Sequence, residues 1–380
     1  MELGTVYSSD LNVVKNSNDH NLLSKVHGLA HREWASRSKD ERFETIPELK
    51  AFVDGHRRTA ASRILPVQQI TARATSNEDI LFSTPRGEAI PTNWAFGQMC
   101  RHVGAPAGYL RSLPAPLAAD CFNSSLQTRA LPGANVKAYL HLLPDTVKLA
   151  AATGPEYGRI YDAEVVEIAE RLVDRNPQFH NPKEWGGKGS GLFASDHDCF
   201  IFLIDGGSML DVGPRAELNQ GVIFRNSEVG DCTFEAWRFF FNVVCGNLFI
   251  WNPSNVSRIS IRHTKGGPQR FYQEAWPTMV DLMKSDTEDM TSAVQLAIGY
   301  RIPDTMEEWT KLFAPKGFTK TEVAQAYVYA QKEEPSTATM WSAVQGFTAL
   351  ARDMEHADSR FDLAQRAAKL VEGLRNNLIN

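Results

Sequence analysis

The sequence predicts an α+β protein in which a largely antiparallel sheet carries flanking helices on one side and a helical C-terminal region follows. Three observations predict it. Short apolar runs punctuated by turn residues recur between residues 60 and 264, and apolar positions at helical spacing dominate the last quarter of the chain. The apolar fraction of 43% with 22% charged residues is that of a globular chain. We divide the 380 residues into a polar, partly mobile segment over 1–45, an α+β core over 46–284 and a mainly helical region over 285–380.

Taken in order, the span from Asn21 to Trp34 is a helix candidate, and ASRSKDER after it reads as a linker. PELKAFVDGH predicts a short helix that ends in the basic patch His56-Arg57-Arg58. RILPVQQITARA and DILFST then read as strands joined by SNED. Thr92 is a suitable N-cap for NWAFGQMCRHVG, with Gly104 and Pro106 as stop signals, and GYLRSLPAPLAADCFNSSL continues the helical character. VKAYLHLL and VKLAAAT form a hairpin about Pro144-Asp145, and Asp162 is placed to cap the helix AEVVEIAERLVD. CFIFLID is apolar at odd and even positions alike, as in a strand buried on both faces. GVIFRNSE is the next strand.

Phe234, Trp237, Phe241 and Val244 repeat at three- and four-residue spacing, which predicts a helix ended by Gly246. LFIWN and VSRISIRHT follow as strands about Pro253-Ser254-Asn255. Beyond Gly266 the chain is helical and acidic, with Asp281, Asp286, Glu288, Asp289, Asp304, Glu307 and Glu308 expected on a solvated surface. Trp341, Val344, Thr348 and Ala351 mark one helix face, and Leu363, Ala367, Leu370 and Leu374 another.

Composition excludes several function classes. The start lacks a basic leader and an apolar signal core, and no apolar run approaches the roughly 18 residues that span a bilayer, so a cytoplasmic protein with no membrane partner is expected. Five scattered cysteines without a C-x-x-C pair argue against a disulfide framework or a cysteine zinc site. His27 and His31 share a helix face but lack the Glu of H-E-x-x-H, Asp196-His197-Asp198 reads as turn chemistry, and GGKGSG departs from the P-loop order. No metal and no cofactor is expected. The formal charge of −5 excludes coating of nucleic acid by overall electrostatics, so any basic face must be local.

That local face lies between Asn255 and Ala275, where Arg258, Arg262, Lys265 and Arg270 stand against the single acid Glu274. The pleat places Arg258, Ser260 and Arg262 on one face and Ile259, Ile261 and His263 on the other. Guanidinium groups two positions apart stand about 7 Å from one another, near the phosphate spacing of an extended single strand. Trp251 and Tyr272 supply stacking surfaces for bases. The competing reading makes these residues ordinary solvent-facing and core positions.

A second candidate site is catalytic. Asn226, Glu228, Asn247 and His263 in one pocket would supply a general base, Glu228 or His263, to an enzyme acting on nucleic acid or a nucleotide. Cys245 with His263 and an Asn would alternatively form a thiol–imidazole–amide triad. Against both stands a structural reading: Asn226, Ser227 and Glu228 precede the predicted helix and can satisfy its free N–H groups, Asn247 can cap its end, and His263 can be a core histidine.

The order N-S-x-x-G (Asn226, Ser227, Gly230), V-C-x-N (Val244, Cys245, Asn247) and R-H-x-K-G (Arg262, His263, Lys265, Gly266) resembles the domain-of-unknown-function 932 family of phage, prophage and plasmid proteins. QMCRHVGAPAGYLRSLPAPLAADCFN, YGRIYDAEVVE, LFASDHDCFIFLID, MWSAVQGFTALAR and ADSRFDLAQRAAKL extend the resemblance over residues 60–375. It implies a mobile-element protein in a context of DNA transactions. The expected function is therefore engagement of DNA, single-stranded by the spacing argument, in recombination, replication or counter-defence, with self-association as a further expectation. The rivals are the enzyme above and a non-enzymatic structural or host-interaction phage protein.

Overall fold

The structure, a computed structural model, describes residues 33–182, 191–212, 217–242, 247–249, 258–284 and 288–375. It is an α+β fold rich in antiparallel strand pairs, as the sequence predicts. The described residues divide into two compact units, one of 33–38 and 54–159 and the other of 39–53 and 160–375. The boundaries expected at 45/46 and 284/285 match neither division.

In the first unit six strands pair in the order β2 (Ala60–Pro66), β6 (Asn135–Leu142), β7 (Val147–Thr153), β5 (Gly87–Pro91), β4 (Ile80–Thr84) and β3 (Thr71–Ala74). Only β5 and β7 run parallel. RILPVQQITARA is not one strand, because the chain bends through a 3-10 turn at Val67–Gln69 directly after Pro66. Proline lacks the N–H that would continue the ladder. Thr92 caps α2 (Asn93–Val103), its Oγ1 accepting from the Ala95 N–H at 3.2 Å, and Gly104 ends it at φ 67°.

Leu113-Pro114 separates α3 (Ala107–Arg111) from α4 (Ala115–Arg129). Phe96 and Met99 of α2 and Phe122 of α4 pack in one core with Ile80 and Phe82. Trp34 is fully buried in that core, with its indole N–H donating to the Glu78 carbonyl at 3.4 Å. From Glu33 onward the expected polar, partly mobile segment is thus built into the fold. The helix expected over 21–34 otherwise lies outside the described residues.

The second unit is organised on β1 (Glu41–Phe43), β9 (Leu192–Ala194), β10 (Cys199–Asp211), β11 (Glu217–Asn226), β12 (Phe234–Asn242) and β13 (Asn247–Phe249), paired antiparallel in that order. β8 (Phe179–His180) joins β10, and β14 (Arg258–Ile261) joins β12. The last two residues of the ASRSKDER linker open β1.

One face of this sheet meets α5 (Asp162–Arg175), α6 (Gly267–Lys284) and the first half of α1 (Ile46–Thr59), where Leu49, Val166, Phe271 and Met279 pack among Ile201, Val222 and Phe224. The other face meets the C-terminal helices α7 (Glu288–Gly299), α8 (Met306–Phe313), α9 (Lys320–Glu333), α10 (Met340–Arg352) and α11 (Ala357–Arg375). Trp309, Phe347 and Phe361 share a core there with Phe200, Trp237 and Phe239. Helices therefore cover both faces of the sheet, not one, and the C-terminal helices are part of this unit.

The helix expected over 234–244 is strand β12. Eight of its nine residues are buried, including those on both faces, so alternation is erased and phenylalanines fall at helical spacing by coincidence. The aromatic and branched composition, which favours strands, is the signal that decides it.

Candidate functional site

Three of the four predicted catalytic residues converge on the segment Ile160–Asp162 that leads into α5. Asn226 ends β11 opposite Cys199, and its Nδ2 donates to the Ile160 carbonyl at 3.0 Å and to Asp162 Oδ1 at 2.7 Å. Glu228 Oε1 accepts from the Asp162 N–H at 2.8 Å. His263 Nδ1 accepts from the Ile160 N–H at 3.3 Å, which requires that nitrogen to be unprotonated. Glu164 completes the helix start by accepting from the Tyr161 N–H at 3.1 Å. Asp162 is thus the first residue inside the helix and not its cap.

The expectation that Asn226 and Glu228 serve a helix start is met, but on a helix some 60 residues earlier, not on the one expected to follow them. Ser227 turns the chain instead: its Oγ donates to the His197 carbonyl at 2.5 Å and accepts from the Asp231 N–H at 2.9 Å. Asn226 and Ser227 are fully buried, and Glu228 and His263 nearly so. A general base must reach a substrate proton, and Glu228 Oε1 and His263 Nδ1 are already engaged in these helix-start contacts. The Asn247 side chain, Cys245 and Trp251 lie outside the described residues.

A carboxylate cluster that the sequence pattern did not reveal lies beside this turn. Asp198, Asp231 and Asp358 each bring an oxygen within 4.8 Å of the others. Arg225 stands 3.6 Å from Asp231, its guanidinium over the rings of Phe200 and Phe361 at 5.2 and 5.4 Å. Asp358 lies more than a hundred residues from its partners, so no local spacing announces the group. Burial raises the Asp362 carboxyl against the pull of Arg225. Burial likewise pushes the Cys199 and Cys232 thiols well up, which keeps both protonated and poor nucleophiles. Asp196-His197-Asp198 lies in a turn, with Ser195 Oγ accepting from the N–H groups of His197 and Asp198, while the Asp198 carboxylate joins the three-acid cluster.

The basic segment is divided by the fold. Arg258, Ser260 and Arg262 do alternate with buried Ile259, Ile261 and His263. Arg258 pairs across the ladder with Trp237, lies 4.8 Å over that ring, and reaches Glu235 at 3.7 Å. Glu235 also accepts from the Trp237 indole at 3.1 Å, so Arg258 is held at a built corner. Arg270 lies on α6, on the opposite layer, and forms a two-bond pair with Glu274 at 3.1 and 2.9 Å. Tyr272 on the same helix is 65% exposed, its hydroxyl donating to Glu164 at 2.5 Å. Arg262 and Lys265 are exposed in the turn that links the two layers, and Arg262 has no side-chain partner among the described residues.

No helix among the described residues is long and apolar enough to cross a membrane. No family model matches the chain, and no curated protein or solved structure matches it.

Proposed function

We propose that the protein engages single-stranded DNA along β14 and the turn that follows it, as a mobile-element protein acting in recombination, replication or counter-defence. One observation supports this reading most: Arg258 of β14 and Arg262 just after it are exposed, with half-buried Ser260 between them, and the chain runs directly on into exposed Lys265. The resemblance to phage and plasmid proteins supplies the biological context. Exposed Tyr272 offers a ring on which a base can stack.

The contacts are few. Arg262 is the readiest for phosphate, whereas Arg258 and Arg270 must exchange Glu235 and Glu274 for it. With ~0.7 counterions released per contact on a single strand, two to four contacts give a log–log salt slope of about −1.4 to −2.8. Anisotropy titration of equal-length single-stranded DNA, duplex DNA and RNA, with particle size followed alongside, tests the reading. Single-stranded DNA binds tightest if the reading is right, and equal or absent binding of all three sinks it.

A second reading, a non-enzymatic structural or host-interaction protein, is favoured by the engagement of Asn226, Ser227, Glu228 and His263 in helix-start and turn contacts. The same contacts withdraw support from an enzyme that works through those residues.

A further inference from the structure

The first unit contains a cavity of about 270 Å³ over its six-stranded sheet, and its lining comes from β2, β4, β5, β6 and β7 together with the chain at Ile70 and Arg86. Among the described residues one helix side chain, Met99, reaches it. The helices α2 and α4 cover the deeper part of the sheet, and the part that no described helix covers keeps its side chains apolar. Leu140 and Val147 are half-buried there, and Leu142 is 49% exposed at the rim. Leaving aliphatic surface open to water is unfavourable, so this floor is suited to an apolar guest.

The rim carries the complementary feature. Arg63 and Arg86 both line the cavity, and neither has an acidic partner among the described residues. Arg63 donates only to the adjoining Ser62 carbonyl, at 2.9 Å. The one lining carboxylate among the described residues, Glu88, is held by Arg73 in two bonds of 3.0 and 2.7 Å, which removes it as a competitor for those guanidiniums. Two free cations above an aliphatic floor match a molecule with an anionic head and an apolar body.

Size and lining narrow the class. The volume lies just below the ~300–1,000 Å³ of ordinary small-molecule sites, enough for one short chain and too small for a two-chain lipid. The one aromatic residue in the lining among the described residues, Phe82, is fully buried, so none of these offers an open ring to a nucleobase. We infer that this cavity binds a single-chain carboxylate of medium length, its head between Arg63 and Arg86 and its chain over Leu140, Leu142 and Val147. The site is independent of β14 and of the DNA reading.

Calorimetric titration of the full chain with decanoate, and with decanol as the uncharged control, tests the inference. Decanoate binds one per chain, decanol binds about tenfold more weakly or worse, and the Arg63→Gln/Arg86→Gln double variant loses a similar factor for decanoate alone. Ala61→Trp, at the partly exposed edge of the cavity, blocks decanoate while leaving the thermal midpoint near that of the unchanged chain. Absence of decanoate binding, equal affinity for decanol, many equivalents bound, or binding that survives Ala61→Trp would each overturn the inference. So would displacement of decanoate by oligothymidylate, because the two arginines would then belong to a DNA surface.

Discussion

Glu228 holds the first N–H of α5 through one carboxylate oxygen, and that bond makes it a stability residue before anything else. Replacing it by Ala leaves a helix-start donor unmatched and should cost ~1–3 kcal/mol, readable as a lowered urea midpoint. Glu228→Gln keeps an acceptor and should recover most of the loss. His141 makes a pH prediction of another kind. Burial, and then the neighbouring charge of His56, pull its pKa from 6.5 to about 4, with Thr59 Oγ1 3.2 Å from Nδ1. Because the folded value lies below the unfolded one, the contribution is complete above pH 6.5 and is lost as the pH falls towards about 4. His141→Gln should flatten that part of the stability–pH profile, and an unchanged profile would contradict the assignment. At this scale the sequence made Asn226 and Glu228 legible as polar groups in need of backbone partners. Which helix they serve was not legible, because the answer is a contact across more than 60 residues.

At the scale of elements, close approach is the feature most open to test. A Cβ on Gly346 of α10 would stand inside contact distance of the Ala326 carbonyl oxygen of α9 and 3.1 Å from the Ala330 Cβ. Gly346→Ala should therefore separate the two helices at a cost of about 1–3 kcal/mol, seen as a lower thermal midpoint, although alanine is the better helix former. Helix starts were largely legible: Thr92 caps as its position suggests. The sequence also carries Thr319-x-x-Glu322, a reciprocal cap with bonds of 3.1 and 2.7 Å, which could have fixed the start of α9. β12 was misread because burial on both sides removes the alternation by which strands are recognised. The face of β14, half solvated, kept its alternation and was read correctly.

For the whole molecule, the two-unit division was hidden by the path of the chain. Residues 39–53 belong with 160–375, so a linear partition cannot recover it. The C-terminal helices read as a separate region because their partner face, Phe200, Trp237 and Phe239, lies roughly 50 to 175 residues earlier. The same distance effect hid the Asp198–Asp231–Asp358 cluster, whereas Arg258 and Arg270 are separated by the turn between a strand and a helix. What remains of the predicted basic surface is short, and the salt dependence of the affinity it confers should be correspondingly shallow.

The most direct measurement is the affinity for oligothymidylate across a salt series, for the unchanged chain and for Arg258→Gln/Arg262→Gln. A log–log slope of about −1.4 to −2.8 is expected, reduced in magnitude by about 0.7 to 1.4 in the double variant at ~0.7 per lost contact. Binding that ignores salt, no binding at all, or a slope left unchanged by the two substitutions would contradict it.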